Sequence, residues 1–585
     1  MLNKKYRLTL IVIFFCSVTI MDLAQTKNMG LFLNNTSKAY DGYTLFAPKQ
    51  YTATYLINNE GKLIQQWSKS QYPPGQSVYL LENGHLLRSC MTKGQLSSGG
   101  GEGGRIEEYD WDDNLVWYTD FSTSAYMQHH DIKMLPNGNI IMLVIEKKTL
   151  AEVEAAGFNN TKFQPEISQK GMMLPDYVAE IKPNYAAGSG YTLVWEWHTW
   201  DHLIQSHDPT KNNYGVPKNH PELIDCAGDG KNLPAFWNHM NSIDYNPAFD
   251  QIALSVRGNS EVWIIDHSTT TAEAAGHKGG KRGKGGDLIY RWGNPYTYGA
   301  GTASAQRYFQ QHDVEWVKPG YPGAGNITCY NNGLNRTGFS INQSSADEFT
   351  PAVDAEGNYS ITAGSAFLPA NLTWTYLLPL SEYSENISGA YRLPNGNTLI
   401  CSGTLGLFQE VTPDKEVVWK YICPVATTGP MTQGQTIPPD AARPAEFMNS
   451  VFRIYRYPKD YAAFSGRTLT PGDYIEKYST SVESNLSEVP SSFYLSQNYP
   501  NPFNPETVIS YKLPVEGQVS LKVYDVLGKE VAALVDESKP AGSYNSIFPP
   551  GRAGEIHYSQ LPGGIYFYTL RVNGWQQTKK MLLLK

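Results

Sequence analysis

Residues 236–257 read FWNHMNSIDYNPAFDQIALSVR, two runs of alternating apolar residues flanking a turn at Asn246, Pro247 and Ala248. Turn-forming residues between runs of period two are the signature of an antiparallel hairpin. Folding the stretch about Ala248 sets His239 opposite Arg257 and Asn241 opposite Ser255. Side chains alternate along a strand, so His239 and Asn241 share the side that Arg257 occupies. An imidazole, an amide and a guanidinium then converge at one end of one hairpin, which is the outline of an anion site.

Two other stretches repeat the pattern. In QHHDIKMLPNGNIIMLVI (128–145), His130 starts a strand that turns at Pro136, Asn137 and Gly138. In QQHDVEWVKPG (310–320), His312 starts a strand that turns near Pro319 and Gly320. Equivalent positions in repeated units occupy equivalent places in a symmetric fold, so the three histidines should ring one end of a common axis.

Working outward, from Tyr40 to about Tyr421 each unit also has a late strand ending on an aromatic residue. These are KLIQQW (62–67), NLVW (114–117), TLVWEW (192–197), DLIYRW (287–292), NLTWTY (371–376) and EVVWKY (416–421). Six such units repeated radially predict an all-β, six-bladed β-propeller over residues 30–465. Segment 447–457, FMNSVFRIYRY, reads as a late strand that returns to close the ring, and 150–175, 200–235 and 268–286 as insertions. A linker at 466–491 leads to a second unit at 492–585, whose alternating strands and Pro/Gly turns predict a small β-sandwich.

Composition agrees with this organisation. With 39 Tyr, 13 Trp and 52 Gly but only 17% charged residues, the chain suits strands and turns rather than solvated helices. A net charge of −8 argues against a nucleic-acid partner. Residues 1–25 carry Lys4, Lys5 and Arg7 ahead of an apolar core, as a signal peptide does. No later apolar stretch is long enough to span a bilayer, so the mature chain is expected to lack a transmembrane segment and to be exported through the periplasm. Beyond the signal lie Cys90, Cys226, Cys329, Cys401 and Cys423, an odd and scattered set rather than a disulfide framework. Cys401 and Cys423 share one unit and could pair.

The motifs HHD (129–131), NHMNS (238–242), SVR (255–257) with NS (259–260), QHD (311–313) and YNNGLNR (330–336) resemble those of the bacterial aryl-sulfate sulfotransferase family. The resemblance implies that His312 becomes sulfated, that His239, Asn241 and Arg257 bind the sulfate, and that His130 is the remaining active-site histidine. Asn331, Asn332 and Gly333 depart from the family's usual Asp-Asn-Gly. The implied reaction moves a sulfuryl group from an aryl sulfate donor to a phenolic acceptor by a ping-pong route, with no nucleotide donor, no cofactor and no metal. The C-terminal NYPNPFNP and LPGGIYFY closely resemble the sorting domain of type IX secretion substrates. This implies that residues 492–585 engage that machinery and that the protein is secreted or held at the cell surface.

These residue types suit the chemistry on their own. A sulfuryl centre needs a nucleophile that is also a good leaving group, and neutral imidazole is both. Arginine and amide donors can meet the equatorial oxygens of a loose transition state, and a second histidine can serve as acid and base. Two other readings remain open: a propeller enzyme with a histidine-ligated metal, drawing ligands from HHD and QHD, and a non-catalytic secreted propeller that grips an anionic glycan or phenolic ligand. Asp131 and Asp313 alternate to the opposite face and are expected to tie blades together. The SSGGGEGG run (97–104) lacks the Lys-Ser/Thr of a phosphate loop and reads as a flexible turn, and HKGGKRGKGGD (277–287) as a solvated loop. His198, His202 and His207 fall on an insertion and could line a substrate mouth or have no part in function.

Overall fold

The computed structural model describes residues 27–584 apart from 93–95, 97–99, 164–166, 168–169, 227–232, 363, 479–491, 499–500, 504–506 and 549–560. The expected signal peptide and half of the expected linker lie outside the described residues. The chain is all-β, with 45% of residues in strands and 8% in helix. Between 236 and 320 the helical pieces are Thr271–Ala274 and two single turns.

Residues 30–458 form six antiparallel sheets of four or five strands. Each has one strand that touches the sheets on either side. These strands are Val451–Pro458, Pro74–Leu80, Tyr126–Met134, Met240–Asn246, His312–Trp316 and Gly389–Arg392. Backbone pairing with neighbours in the sequence explains five sheets. The sixth takes its inner strand from the far end of the chain, because Val451–Pro458 pairs with Gly42–Pro48. The N-terminal strand Gly30–Asn34 in turn pairs with Val417–Ile422. Both ends are thereby stitched into sheets built by the other end.

The aromatic segments recognised in the sequence all lie on the outer side of their sheets, with Val417–Ile422 further covered by Gly30–Asn34, and one tryptophan on each does the same job. Trp67, Trp117, Trp197, Trp292, Trp374 and Trp419 each donate the indole N–H to a backbone carbonyl of the following sheet. The acceptors are Asp110, Gly190, Gly286, Pro369, Pro413 and Asn59, at 2.6–2.9 Å. The last of these returns from the final sheet to the first. A large apolar ring with one donor suits this position, since it fills the gap between sheets and needs a single acceptor.

At the inner edge, acidic side chains replace tryptophan as ties. Asp131 accepts from the Tyr79 hydroxyl at 2.7 Å and from the Ile243 amide at 3.0 Å, reaching a sheet on each side. Asp313 accepts from the Ala390 amide at 3.0 Å. Arg453 on the closing strand lies 2.9 Å from Asp131 and 3.0 Å from Asp313, and donates to the Asn241 carbonyl at 3.1 Å. Its charge is buried, and two carboxylates offset the desolvation that an unpaired guanidinium would suffer.

The hairpin that decided the fold forms, with one change. Ser242, not Asn241, faces Ser255, and the register shifts between Met240 and Ser242. A bulge at Asn241 supplies the extra residue. Beyond it the expected pairing resumes, and the Arg257 amide donates to the His239 carbonyl at 3.2 Å. The expected pairing therefore failed for Asn241 and held for His239 with Arg257.

The insertions pack rather than float. Val153, Phe158, Leu203, Ile224 and Cys226 are buried in one cluster with Trp195 and Trp197. All five cysteines beyond the signal are free, Cys401 and Cys423 included, and all are buried. The first unit continues past residue 466, since Ile475 is buried in its core and Lys477 bridges Thr432. Residues 492–584 form a three-stranded and a four-stranded antiparallel sheet around a separate apolar core that includes Tyr511, Leu521 and Leu570.

Candidate active site

His312 opens its inner strand and His239 immediately precedes its own, whereas His130 lies in the middle of Tyr126–Met134 rather than at its start; in each strand the register shifts beside the histidine. His130 and His239 adopt φ of +48° and +49°, and Asp313, next to His312, +62°. Left-handed backbone at a non-glycine residue costs about 1–3 kcal/mol and persists only where the surroundings enforce it. Here the bulges turn the imidazoles off the alternation of their strands and towards one another. The rings of His130 and His239 lie 5.2 Å apart. His130 and His312 both pack against Phe452, at 5.9 and 6.3 Å. Phe236 stacks on His239 at 4.2 Å. The three histidines expected to converge are brought together, within an aromatic lining.

His312 is held in one orientation. Its Nδ1 lies 2.7 Å from Asn332 Oδ1, while Asn332 Nδ2 donates to the carbonyls of Ser384 and Ile387 at 2.9 and 3.1 Å. The two carbonyls can only accept, so the amide nitrogen must face them and its oxygen must face His312. Nδ1 therefore carries the proton, and Nε2 keeps its lone pair. Burial, followed by the charge of Arg257, holds the His312 pKa down at about 3, so the ring is neutral near pH 7. Burial also pushes the pKa of His130 and His239 well below the ordinary value, aided by the neighbouring histidines and, for His239, Arg257.

Arg257 is the cation of the site. Among the described residues no carboxylate pairs with its guanidinium, and its buried Nε has no hydrogen-bond partner. Burial lowers its pKa, and Glu385 and Tyr383 oppose that shift. A partly buried arginine with an orphaned Nε and, among the described residues, no counter-ion is a site suited to an anion. Asn241 is differently disposed: Nδ2 donates to the Gln311 carbonyl at 2.8 Å, which leaves one amide hydrogen free.

Several neighbours were not visible in the sequence. His129 Nδ1 lies 2.8 Å from His130 Nδ1, and His129 Nε2 makes a close but poorly aligned 2.8 Å approach to Asp176. The pair HHD signalled a doublet, but nothing in the sequence linked it to Asp176. Gly101, φ +69°, lies so near His130 that a Cβ there would sit 1.8 Å from the imidazole Cε1, a severe clash. Gly100 and Gly101 of the glycine-rich run thus lie against His239 and His130. The doublet's other expected use, as metal ligands, finds no group among the described residues: the one candidate cluster of metal-ligating side chains is elsewhere, at His202, His277 and Asp287. His198 stacks on Tyr177 at 4.5 Å and pairs with Glu146 at 3.1 Å, and His207 is exposed.

A family model described as Arylsulfotransferase (ASST) matches residues 21–428, more than half of the chain. The chain belongs to this family. A second model, the secretion system C-terminal sorting domain, matches residues 497–584. That type IX domain marks the protein as secreted or exposed on the cell surface, and no described helix is long and apolar enough to cross a membrane. Comparison with curated proteins finds no match. Among solved structures, a protein of unknown function from Bacteroides caccae is 9% identical, covering 71% of this chain and 98% of that one at a TM-score of 0.35. A streptogramin B lyase is 8% identical, covering 75% and 96% at a TM-score of 0.32. The periplasmic gluconolactonase of Pseudomonas aeruginosa is 12% identical, covering 65% and 96% at a TM-score of 0.31. The arylsulfotransferase match holds His130, His239, Arg257 and His312, whereas the closing strand with Phe452 and Arg453 lies beyond it.

Proposed function

We propose that this arylsulfotransferase-family protein transfers a sulfuryl group between phenols through a sulfated His312, and that its six sheets are the blades of a propeller whose axis carries the site. The blade count rests on the six tryptophan links, the last of which returns to the first sheet. The observation that carries the chemistry is the fixed tautomer of His312, with a free Nε2 lone pair beside an unpaired Arg257.

In the first half-reaction His312 Nε2 attacks the sulfur of an aryl sulfate. The N–S bond forms as the S–O bond to the phenol breaks, and the electron pair leaves with the phenolate. Charge on the equatorial oxygens meets Arg257, the remaining amide hydrogen of Asn241 and the ring N–H of His239. Both His130 and His239 are neutral in the empty site, but an anionic ester beside them favours their protonated forms. One of the two then gives its proton to the departing phenolate. His130 is the better placed to recover it, because His129 and Asp176 stand behind its far nitrogen. In the second half-reaction the acceptor phenol loses its proton to that histidine and takes the sulfuryl group, restoring neutral His312. The low basicity of His312 helps here, since it makes the imidazole a good leaving group.

Residues 1–25 would deliver the chain to the periplasm as a cleaved signal peptide. Arg257 sets this reading apart from a metal-dependent one, because its charge would repel a cation held by the same histidines. The direct test is incubation with an aryl sulfate, with and without a second phenol. The reading requires faster release of the first phenol and appearance of the sulfated second one, with the parallel-line initial velocities of a ping-pong reaction. Donor and acceptor binding with no turnover would leave only a binding protein.

A further inference from the structure

Two insertions that the proposed reaction leaves unused meet at one point. His202 ends the single turn Thr199–His202 at the start of the 200–235 insertion, while His277 and Asp287 bound the glycine-rich loop of the 268–286 insertion. His202 Nδ1 and His277 Nδ1 lie 2.9 and 2.7 Å from the same oxygen, Oδ1 of Asp287. The potential ligand atoms of all three residues are within 4.8 Å of one another. His202 and Asp287 are buried and His277 is exposed.

Hydrogen-bond valence makes this arrangement unusual. The other nitrogen of His202, Nε2, lies 2.9 Å from the Ala274 carbonyl, which can only accept, so Nε2 carries a proton. An ionised Asp287 can also only accept. His202 Nδ1 and the carboxylate oxygen therefore face each other across a gap that a bound cation would satisfy. An imidazole whose far N–H is fixed on a backbone carbonyl is the usual posture of a metal ligand, since that bond sets both tautomer and ring orientation. The surroundings fix it further. Trp197 stacks on His202 at 5.6 Å with planes 8° apart. A Cβ at Gly286 would sit 2.7 Å from His202 Nε2 and would clash with the Ala274 carbonyl. His277 opens onto a cleft of about 660 Å³ that also touches Trp200 and His220, so a fourth coordination position faces solvent.

We propose that His202, His277 and Asp287 form a binding site for a borderline divalent transition-metal ion of the zinc class, which staples the two insertions together away from the axial histidines. Two imidazole nitrogens and one carboxylate oxygen, with one open position, suit Zn²⁺ over Ca²⁺ or Mg²⁺, which prefer all-oxygen shells.

The test uses the full mature chain, stripped with a chelator and titrated with Zn²⁺, and with Co²⁺ as a spectroscopic stand-in. The expected result is one ion per chain, a visible Co²⁺ spectrum of low-symmetry coordination and a higher melting temperature with Zn²⁺. His277→Ala removes an exposed ligand without touching the core. It should weaken binding by more than the roughly 100-fold that loss of an outer-sphere partner costs, while leaving arylsulfotransferase activity unchanged. Asp287→Asn should weaken binding in parallel. His312→Ala should retain the ion. No bound metal, or binding lost in His312→Ala but unaffected by His277→Ala, would overturn the proposal and leave the cluster as an ion pair.

Discussion

Replacing Asn332 by leucine isolates the feature on which the chemistry depends. The substitution keeps the volume but removes the acceptor 2.7 Å from His312 Nδ1 and the two donors to Ser384 and Ile387. A buried ring N–H left without a partner costs about 1–3 kcal/mol and the Ile387 carbonyl about as much, while Ser384 keeps its bond from Ser344 Oγ, so the fold should be weakened by about 2–6 kcal/mol. The diagnostic effect is on the reaction. The Gln310 backbone also hydrogen-bonds the ring, but Asn332 is the side chain that holds Nδ1, and the tautomer with hydrogen on Nε2 has no lone pair facing the sulfur. Partners that orient a reacting group typically carry a 10–100-fold effect, and kcat should fall about 100-fold, close to 3 kcal/mol, with KM little changed. Steady-state kinetics on a variant shown to be folded by its melting curve reads both terms. Asn332→Asp supplies a separate signature: its carboxylate would favour protonated His312, raising that pKa, and the acid limb of the pH–rate profile should move to higher pH. A folded Asn332→Leu enzyme with kcat within about twofold of wild type would refute the claim that this amide positions the nucleophile.

Three further outcomes follow from the same geometry. Arg257→Ala should raise KM and lower kcat together, because its charge meets both the ester and the transition state, whereas His239→Ala should cost about 3 kcal/mol in kcat/KM while His312 can still be sulfated slowly. His312 has a folded pKa of about 3 against 6.5 unfolded, so the unfolded chain binds the extra proton and stability is complete above about pH 6.5 and lost as pH falls towards 3. Urea midpoints of wild type should therefore fall more steeply below pH 6.5 than those of His312→Gln; identical slopes would contradict the pKa depression. Removing residues 492–585 should leave a folded, active protein in the periplasm, as every residue assigned to the site precedes the sorting domain, and an inactive purified truncation would show that this domain contributes to the reaction.

What the sequence revealed followed from local rules. The late strand of each unit carries a tryptophan at or two residues before its aromatic end, and a period of two with Pro/Gly turns marks where strands begin and end, so the sheets could be read before any coordinates. The histidines could be placed because they recur at matching points of three units. What was hidden depends on residues far apart in the chain. Arg453 contacts Asp131 across 322 positions, and Phe452 meets two of the three histidines from the closing strand. The carbonyls that lock Asn332 come from Ser384 and Ile387, in a segment with no motif of its own. Bulges were equally invisible, because the extra residue at Asn241 obeys the same alternation as its neighbours until the partner strand is known. Gly101 looked like one glycine among many, and only its place against His130 gives it a reason.

The central claim is a covalent sulfuryl group on one nitrogen of one histidine. The most direct measurement is mass spectrometry of enzyme mixed with an aryl sulfate alone and quenched under alkaline conditions, where an N-sulfated histidine survives better than in acid. The account predicts a chain heavier by one SO₃ group, mapped to the peptide holding His312, absent in His312→Ala and discharged when a phenol is added before the quench. An active enzyme that carries no sulfuryl group under these conditions, or carries it on another residue, would contradict it.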